Sequence, residues 1–335
     1  MKYLLLALCS LCISFTQAQY ATLYFSSKEK SAVNTGEFYS YHFTAFDSTN
    51  KKLSYSKVEL PGWLTFDAGK QVISGTTSKR GQYYVRLAVT NGDTTAFQSF
   101  MLTVCNKQTT KILCLGNSIT NGTNKYNSYR RDLWKMLHEG KYNFDFIGSW
   151  SKHHWNGEVP NPDFDMDHDG HSGWTFPQIL KAPDWDSSRG DLQKWIKNYT
   201  PDIVLIELGT NDVFQCISIE ESMRAFSTTV KLLRQKNKNV KIFVAQIPPL
   251  GQQWAPKMLC HDSISYAQRI INYNDTIALF AKEMSTKASP VIAVDQYTGV
   301  NPAKDMYDDI HPNDKGELEM AKRWFAAIKQ YIAKP

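Results

Sequence analysis

Long apolar runs are scarce in this 335-residue sequence. Beyond the first 18 residues no stretch approaches the ~20 apolar residues that a bilayer-spanning helix needs, so stable membrane insertion is not expected. Blocks of one charge are missing as well. Lys and Arg number 38 against 32 Asp and Glu, a formal charge of +6, and the most basic stretch, 231–241, reads as the solvated end of a helix. Without a basic stripe or a recognition motif, nucleic acid is not an expected partner. No internal repeat or low-complexity segment interrupts the chain. Cysteine is sparse too, with six in all, two of them within the first 18 residues.

What is present describes an ordinary globular chain, 42% apolar and 21% charged, long enough for two domains. Lys2, a twelve-residue and largely apolar stretch over 4–15 and the small-residue end Thr16-Gln17-Ala18 form the pattern of a signal peptide. Cleavage after Ala18, and a secreted or periplasmic location, are the expectation. Cys9 and Cys12 each follow a leucine, where lipoprotein signals carry a small residue, so no lipid anchor is expected. Export permits disulfides among Cys105, Cys114, Cys216 and Cys260, which allow three full pairings. Cys114 lies inside an apolar run and suits a buried thiol as readily as a bridge. Cys216 and Cys260 both follow strand-like runs, and spacing leaves their pairing open.

The periodicity changes once along the chain. Over 19–106 short alternating segments, 39–43, 83–89 and 97–104 among them, are separated by Gly, Asn, Asp and Ser clusters. Strands at such spacing predict an all-β sandwich of immunoglobulin-like size. Over 107–335, apolar runs at 111–115, 144–147, 203–208, 240–247 and 291–294 alternate with helical patterns at 128–137, 192–198, 219–235, 263–283 and 315–332. That alternation predicts an α/β domain with a parallel five-stranded sheet covered on both faces, its functional groups beyond the carboxyl ends of the strands.

Three such ends carry candidate chemistry. The first strand runs into Gly116-Asn117-Ser118, where Ser118 is either a nucleophile or a helix cap. The G-x-S-x-G elbow of the α/β-hydrolases is absent. The third strand ends in Gly209-Thr210-Asn211-Asp212, a turn whose Asn211 amide can also donate to an oxyanion. After the fifth strand, Asp308 precedes His311 by three residues, close enough for its carboxylate to orient the ring and leave the other ring nitrogen for a serine. Asn313 suits the cap of the final helix.

In order and spacing these blocks resemble the SGNH, or GDSL-like, hydrolase family over residues 108–335. The family's Gly-Asp-Ser block appears as Gly116-Asn117-Ser118, changed at its middle residue. The resemblance implies a three-layer α/β/α fold and a catalytic Ser118, His311 and Asp308. It implies an oxyanion hole from the backbone N–H groups of Ser118 and Gly173 with the Asn211 side chain, and chemistry that requires no metal or organic cofactor. Residues 55–104 resemble immunoglobulin-like or cadherin-like modules of bacterial secreted proteins.

The stretch 163–175, ending Gly170-His171-Ser172-Gly173-Trp174-Thr175, looks similar to carbohydrate esterases of the acetyl xylan esterase type, which implies an acetylated polysaccharide or oligosaccharide as substrate. A lipid esterase or thioesterase, and a non-catalytic glycan-binding protein, are the rivals. Trp174 is a candidate wall of a short acyl pocket, or else a core residue. Asp165, Asp167, Asp169 and Gly170 echo the start of a calcium loop, but Phe176 stands where such a loop needs a bidentate Glu, so the run reads as a solvated acidic loop.

Overall fold

The computed structural model describes residues 23–151, 160–258 and 260–334. The segment read as a signal peptide lies outside them. Among the described residues the chain opens with β1 (Leu23–Phe25), β2 (Ala32–Asn34), β3 (Phe38–His42), β4 (Ala45–Asp47), β5 (Ser54–Glu59), β6 (Leu64–Asp67), β7 (Val72–Thr76), β8 (Gly81–Thr90) and β9 (Thr95–Cys105). A four-stranded sheet, β2-β9-β8-β5, faces a three-stranded one, β3-β7-β6, and β1 pairs with β4. The alternation seen in the sequence is the reason. In β3, Tyr39 and Tyr41 turn inward and their neighbours outward, and the tyrosines pack with Phe43, Ile73, Leu87 and Phe100. Trp63 packs edge-on between Tyr39 and Tyr83.

A parallel sheet follows, ordered β11-β10-β13-β14-β15, from β10 (Thr110–Gly116), β11 (Phe144–Ile147), β13 (Ile203–Glu207), β14 (Lys241–Gln246) and β15 (Val291–Asp295). A sixth, two-residue strand, β12 (Asp169–Gly170), pairs with the last residues of β10. Alternate residues of each strand serve opposite faces. Leu113, Leu115, Val204, Ile206, Ile242 and Val244 pack toward α3 (Phe176–Leu180), α4 (Leu192–Trp195), α6 (Ile219–Lys236) and α7 (Tyr266–Met284). Ile112, Cys114, Ile203, Leu205, Phe243 and Ala245 pack toward α2 (Tyr129–Glu139) and α9 (Asp314–Ile328). Both faces are thus covered, which is why these strands read as unbroken apolar runs. Cys105 and Cys114 are buried free thiols, and Cys216 is bonded to Cys260.

The sandwich is braced against β11 and the chain beyond it. Lys28 Nζ donates to the carbonyls of Gly148 and Ser149, Gln82 Nε2 to that of Phe144, and Ser31 Oγ to the Asp167 carboxylate. The acidic run is therefore not a solvated loop. Asp165, Asp167 and Asp169 are buried, and desolvation pushes Asp167 up to about 6 and Asp169 to about 7. Phe146 N–H donates to Asp165, and Ser149 N–H and the Tyr199 hydroxyl donate to Asp169. Among the described residues no group of three or more His, Cys, Asp or Glu side chains is arranged to hold a metal ion.

Candidate active site

Ser118 stands where β10 passes into α1 (Ser118–Asn121). The strand must end in glycine, because a Cβ at Gly116 would lie 2.6 Å from the Glu207 carbonyl oxygen of β13 and 2.2 Å from Thr120 Oγ1. The capping role that sequence allowed for Ser118 belongs to Asn117, whose Oδ1 accepts the Ile119 N–H at 2.8 Å. Ser118 is the first helical residue, and its Oγ lies 2.8 Å from His311 Nε2.

His311 comes from the connection between α8 (Pro302–Asp305) and α9. An isolated bridge pairs Met306 with Pro312, and Tyr307 N–H donates to the His311 carbonyl at 3.0 Å, so 306–312 is a closed loop. Within it one carboxylate holds both the backbone and the ring of the histidine. Asp308 Oδ1 accepts the N–H of His311 at 2.8 Å and of Ile310 at 3.1 Å, and Oδ2 lies 2.8 Å from His311 Nδ1. Desolvation pushes the Asp308 carboxyl up, but these hydrogen bonds outweigh it and hold the group below the ordinary carboxylate range. The neighbouring Asp309 turns away with φ +65°. Its carbonyl accepts the Gly251 N–H at 2.7 Å, and a Cβ on Gly251 would stand 2.0 Å from its Oδ1. Asn313 caps α9 through the N–H groups of Lys315 and Gly316.

Gly173 and Asn211 meet across a cross-braced corner. Gly173 adopts φ +82°, a conformation that favours glycine, and its carbonyl accepts from Gln215 Nε2 at 2.8 Å. Asn211 opens α5 (Thr210–Phe214) and donates one amide hydrogen to the Trp174 carbonyl at 2.9 Å, which leaves a second for another acceptor. Asp212, buried beside it, accepts the Phe176 N–H and the Ser222 hydroxyl. Desolvation pushes its carboxyl up to about 6 against these bonds. This short helix and its C-capping residue Gln215 therefore grip the Gly173 loop at three points.

Trp174 is not a pocket wall. Its indole is fully buried, stacked at 4.3 Å on His171, which stacks in turn on Trp195 at 4.4 Å, and its Nε1–H donates to Asp186 at 3.0 Å. The left-handed turn at Gly173 followed by the capping box at Thr175 directs the side chain into the core. A different tryptophan, which sequence spacing did not single out, reaches the site: Trp185 lies 3.7 Å from where a Gly173 Cβ would be. Sequence reasoning also passed over Glu207, the last residue of β13, buried behind the nucleophile turn. Its backbone carbonyl accepts the Asn117 N–H at 3.2 Å, and desolvation, offset in part by the Asn117 side chain, pushes its carboxyl up to about 8.

Several known esterases are similar to this chain. A multidomain esterase of Ruminococcus flavefaciens is 31% identical over 236 residues, 67% of this chain but 29% of that protein, so the chain spans less than a third of that relative's length. A carbohydrate esterase of family 3 from Talaromyces cellulolyticus superposes with a TM-score of 0.54 at 27% identity, over 66% of this chain and 97% of the other. A serine-to-alanine mutant of an acetyl esterase, solved with an acetate ion, superposes with a TM-score of 0.53, also at 27% identity and over the same shares of the two chains. A family model of an Ig domain matches residues 21–105, and one described as the GDSL-like lipase/acylhydrolase family matches residues 114–317. The second match takes in more than half of the sequence, and the chain belongs to the GDSL-like lipase/acylhydrolase family, with an Ig-like module ahead of its α/β domain.

Proposed function

We propose that this chain is an exported serine esterase that removes acetyl groups from carbohydrate, with Ser118 as nucleophile, His311 as base and acid, and Asp308 as orienting partner. One observation carries the reading: Ser118 Oγ and Asp308 Oδ2 each lie 2.8 Å from opposite nitrogens of the His311 ring. In the reaction, Nε2 takes the Ser118 proton as Oγ bonds to the ester carbonyl carbon, and Asp308 stabilises the imidazolium that forms. The carbonyl oxygen, now anionic, is received by the Ser118 and Gly173 N–H groups and by the second Asn211 amide hydrogen. Collapse breaks the bond to the sugar oxygen, which leaves with the proton from Nε2. Water, deprotonated at Nε2, then attacks the acyl-Ser118, and acetate departs as Oγ regains its proton. These steps use the chain's own groups alone.

Acetate as acyl group and carbohydrate as alcohol are supported by the acetyl esterase and the carbohydrate esterase that superpose on the domain at 27% identity. The test is acetate release from acetylated xylan, together with kcat/KM on the acetate, butyrate and octanoate of one alcohol. Turnover should fall with acyl length, and Ser118→Ala and His311→Ala should each lose on the order of 10³-fold or more while remaining folded. Near-normal hydrolysis by folded Ser118→Ala would refute the covalent mechanism. Rates that climb toward octanoate would transfer the same Ser118 chemistry to a lipid substrate.

A further inference from the structure

Of the eight tryptophans among the described residues, Trp185 alone is exposed, at 62%. An isolated apolar side chain on a surface calls for no explanation. This one sits at the edge of the candidate oxyanion hole, and it is mounted rigidly. It belongs to a 3-10 turn (Asp184–Arg189) that follows Pro183. The next residue, Asp186, is buried and accepts hydrogen bonds from Trp174 Nε1 at 3.0 Å and Arg189 Nε at 3.0 Å. The Arg189 carbonyl in turn accepts the Trp195 Nε1–H at 2.7 Å. Fastened from below in this way, the turn holds residue 185 outward, and the tip of its indole, Cη2, stands 3.7 Å from the Gly173 Cβ position.

We propose that Trp185 is a specificity-determining residue on which the sugar ring bearing the ester stacks as its carbonyl enters the oxyanion hole. The inference rests on the esterase reading above and names the part of the substrate that this side chain contacts. The argument turns on which half of an ester such an indole suits. A wall for an acetyl group must enclose it, because a methyl group gains from burial only where water is excluded on every side. An indole open to solvent over most of its surface encloses nothing. A pyranose ring asks for something different: a flat apolar surface for the C–H groups of one face, with water or polar groups around its hydroxyls. A rigid, exposed aromatic supplies that surface at little cost in conformational entropy. The location selects the same half of the substrate. With the carbonyl oxygen at the Gly173 N–H, a solvent-facing group 3.7 Å from the Gly173 Cβ position lies on the side where the alcohol portion emerges.

The experiment compares Trp185→Ala and Trp185→Phe with the wild type on two acetate esters: ethyl acetate, which has no ring, and acetylated xylo-oligosaccharides. In Trp185→Ala the ratio of kcat/KM on the oligosaccharide to kcat/KM on ethyl acetate should fall at least tenfold, through KM more than kcat. Trp185→Phe should recover most of that ratio. Calorimetry in the Ser118→Ala background supplies a readout apart from turnover: adding Trp185→Ala should raise the Kd for the acetylated oligosaccharide by a similar factor. An unchanged ratio overturns the proposal, as does an equal loss on both esters, which would make Trp185 an acyl-side or merely structural residue. If the wild type hydrolyses ethyl acetate but no acetylated glycan, the sugar platform fails while the Ser118 chemistry stands. If it hydrolyses neither and matches Ser118→Ala, the esterase reading itself fails.

Discussion

Glu207→Gln should make the protein more resistant to unfolding in mildly alkaline solution, although it alters a fully buried residue directly behind the proposed nucleophile. The side chain has no exposure to water, and desolvation pushes its carboxyl from 4.5 to about 8, with the Asn117 side chain opposing only part of that rise. A carboxyl raised in this way binds its proton more tightly in the folded than in the unfolded chain. Its contribution to stability is therefore complete below about pH 4.5 and is lost as pH rises through about 8. At ~1.4 kcal/mol per pH unit, that interval sets a ceiling of about 5 kcal/mol on the loss. Glutamine keeps the shape and cannot ionise. The difference in unfolding free energy between variant and wild type should level off below about pH 4.5, climb in favour of the variant between about pH 4.5 and 8, and level off above. Urea midpoints at unit pH steps from 4 to 9 measure it, and taking the difference cancels the other buried acids that titrate in the same range, Asp167, Asp169 and Asp212 among them. A pH-independent difference would mean that Glu207 is not neutral in the folded chain, and the account of the turn behind Ser118 would fail with it.

Two further outcomes follow from the contacts. Asp309→Asn should leave turnover within a few fold, because its side chain packs on Gly251 rather than on the imidazole, whereas Asp308→Asn should lose far more; the reverse ranking in kcat would reassign the orienting acid. Replacing Cys216 and Cys260 together by serine opens a loop of 44 residues, which lowers stability by about 4 kcal/mol on the chain-entropy account and is read from thermal or urea unfolding; no change would mean that the link does not constrain the unfolded chain.

The sequence was most legible where burial is simplest. The five apolar runs of the α/β domain lie within the five long strands or a residue or two beyond them, because strands covered on both faces have no polar register to interrupt the pattern. Some short elements left no pattern in the sequence. β12 has two residues, α3 and α5 have five each, and the first two owe their form to partners far away in sequence: the end of β10 for β12, the Asp212 carboxylate for the start of α3. The same limit explains the acidic run. Asp165, Asp167 and Asp169 look hydrophilic along the chain, and their partners come from elsewhere in it: Phe146 for Asp165, Ser31 and Lys28 of the sandwich for Asp167, and Tyr199 for Asp169, which no local pattern contains. Phe164 and Met166, apolar and interleaved with the acids, were the available hint, and both are buried.

For the candidate site the dividing line is between groups that carry chemistry and groups that aim them. Ser118 and Asn211 lie where an apolar run gives way to small and polar residues, and Asp308 and His311 stand three apart just ahead of the last helical pattern, so the local pattern marks them out. Their supports lie on other segments. Gln215 holds the Gly173 carbonyl and Asp212 holds the Phe176 N–H, while Tyr273 of α7 donates to the Leu208 carbonyl just ahead of Gly209. The two tryptophans make the same distinction. Trp174 adjoins Gly173 in sequence and points into the core; Trp185, twelve residues on from Gly173, adjoins it in space. Residue type alone does not say which way an indole faces. What decides is the backbone, turned inward after Gly173 by a left-handed residue and a capping box, and turned outward at Trp185 by a buried carboxylate on the very next position. A site preorganised for a developing oxyanion therefore depends on hydrogen bonds whose two ends are far apart in the chain, and these are the part of its design that only the folded structure displays.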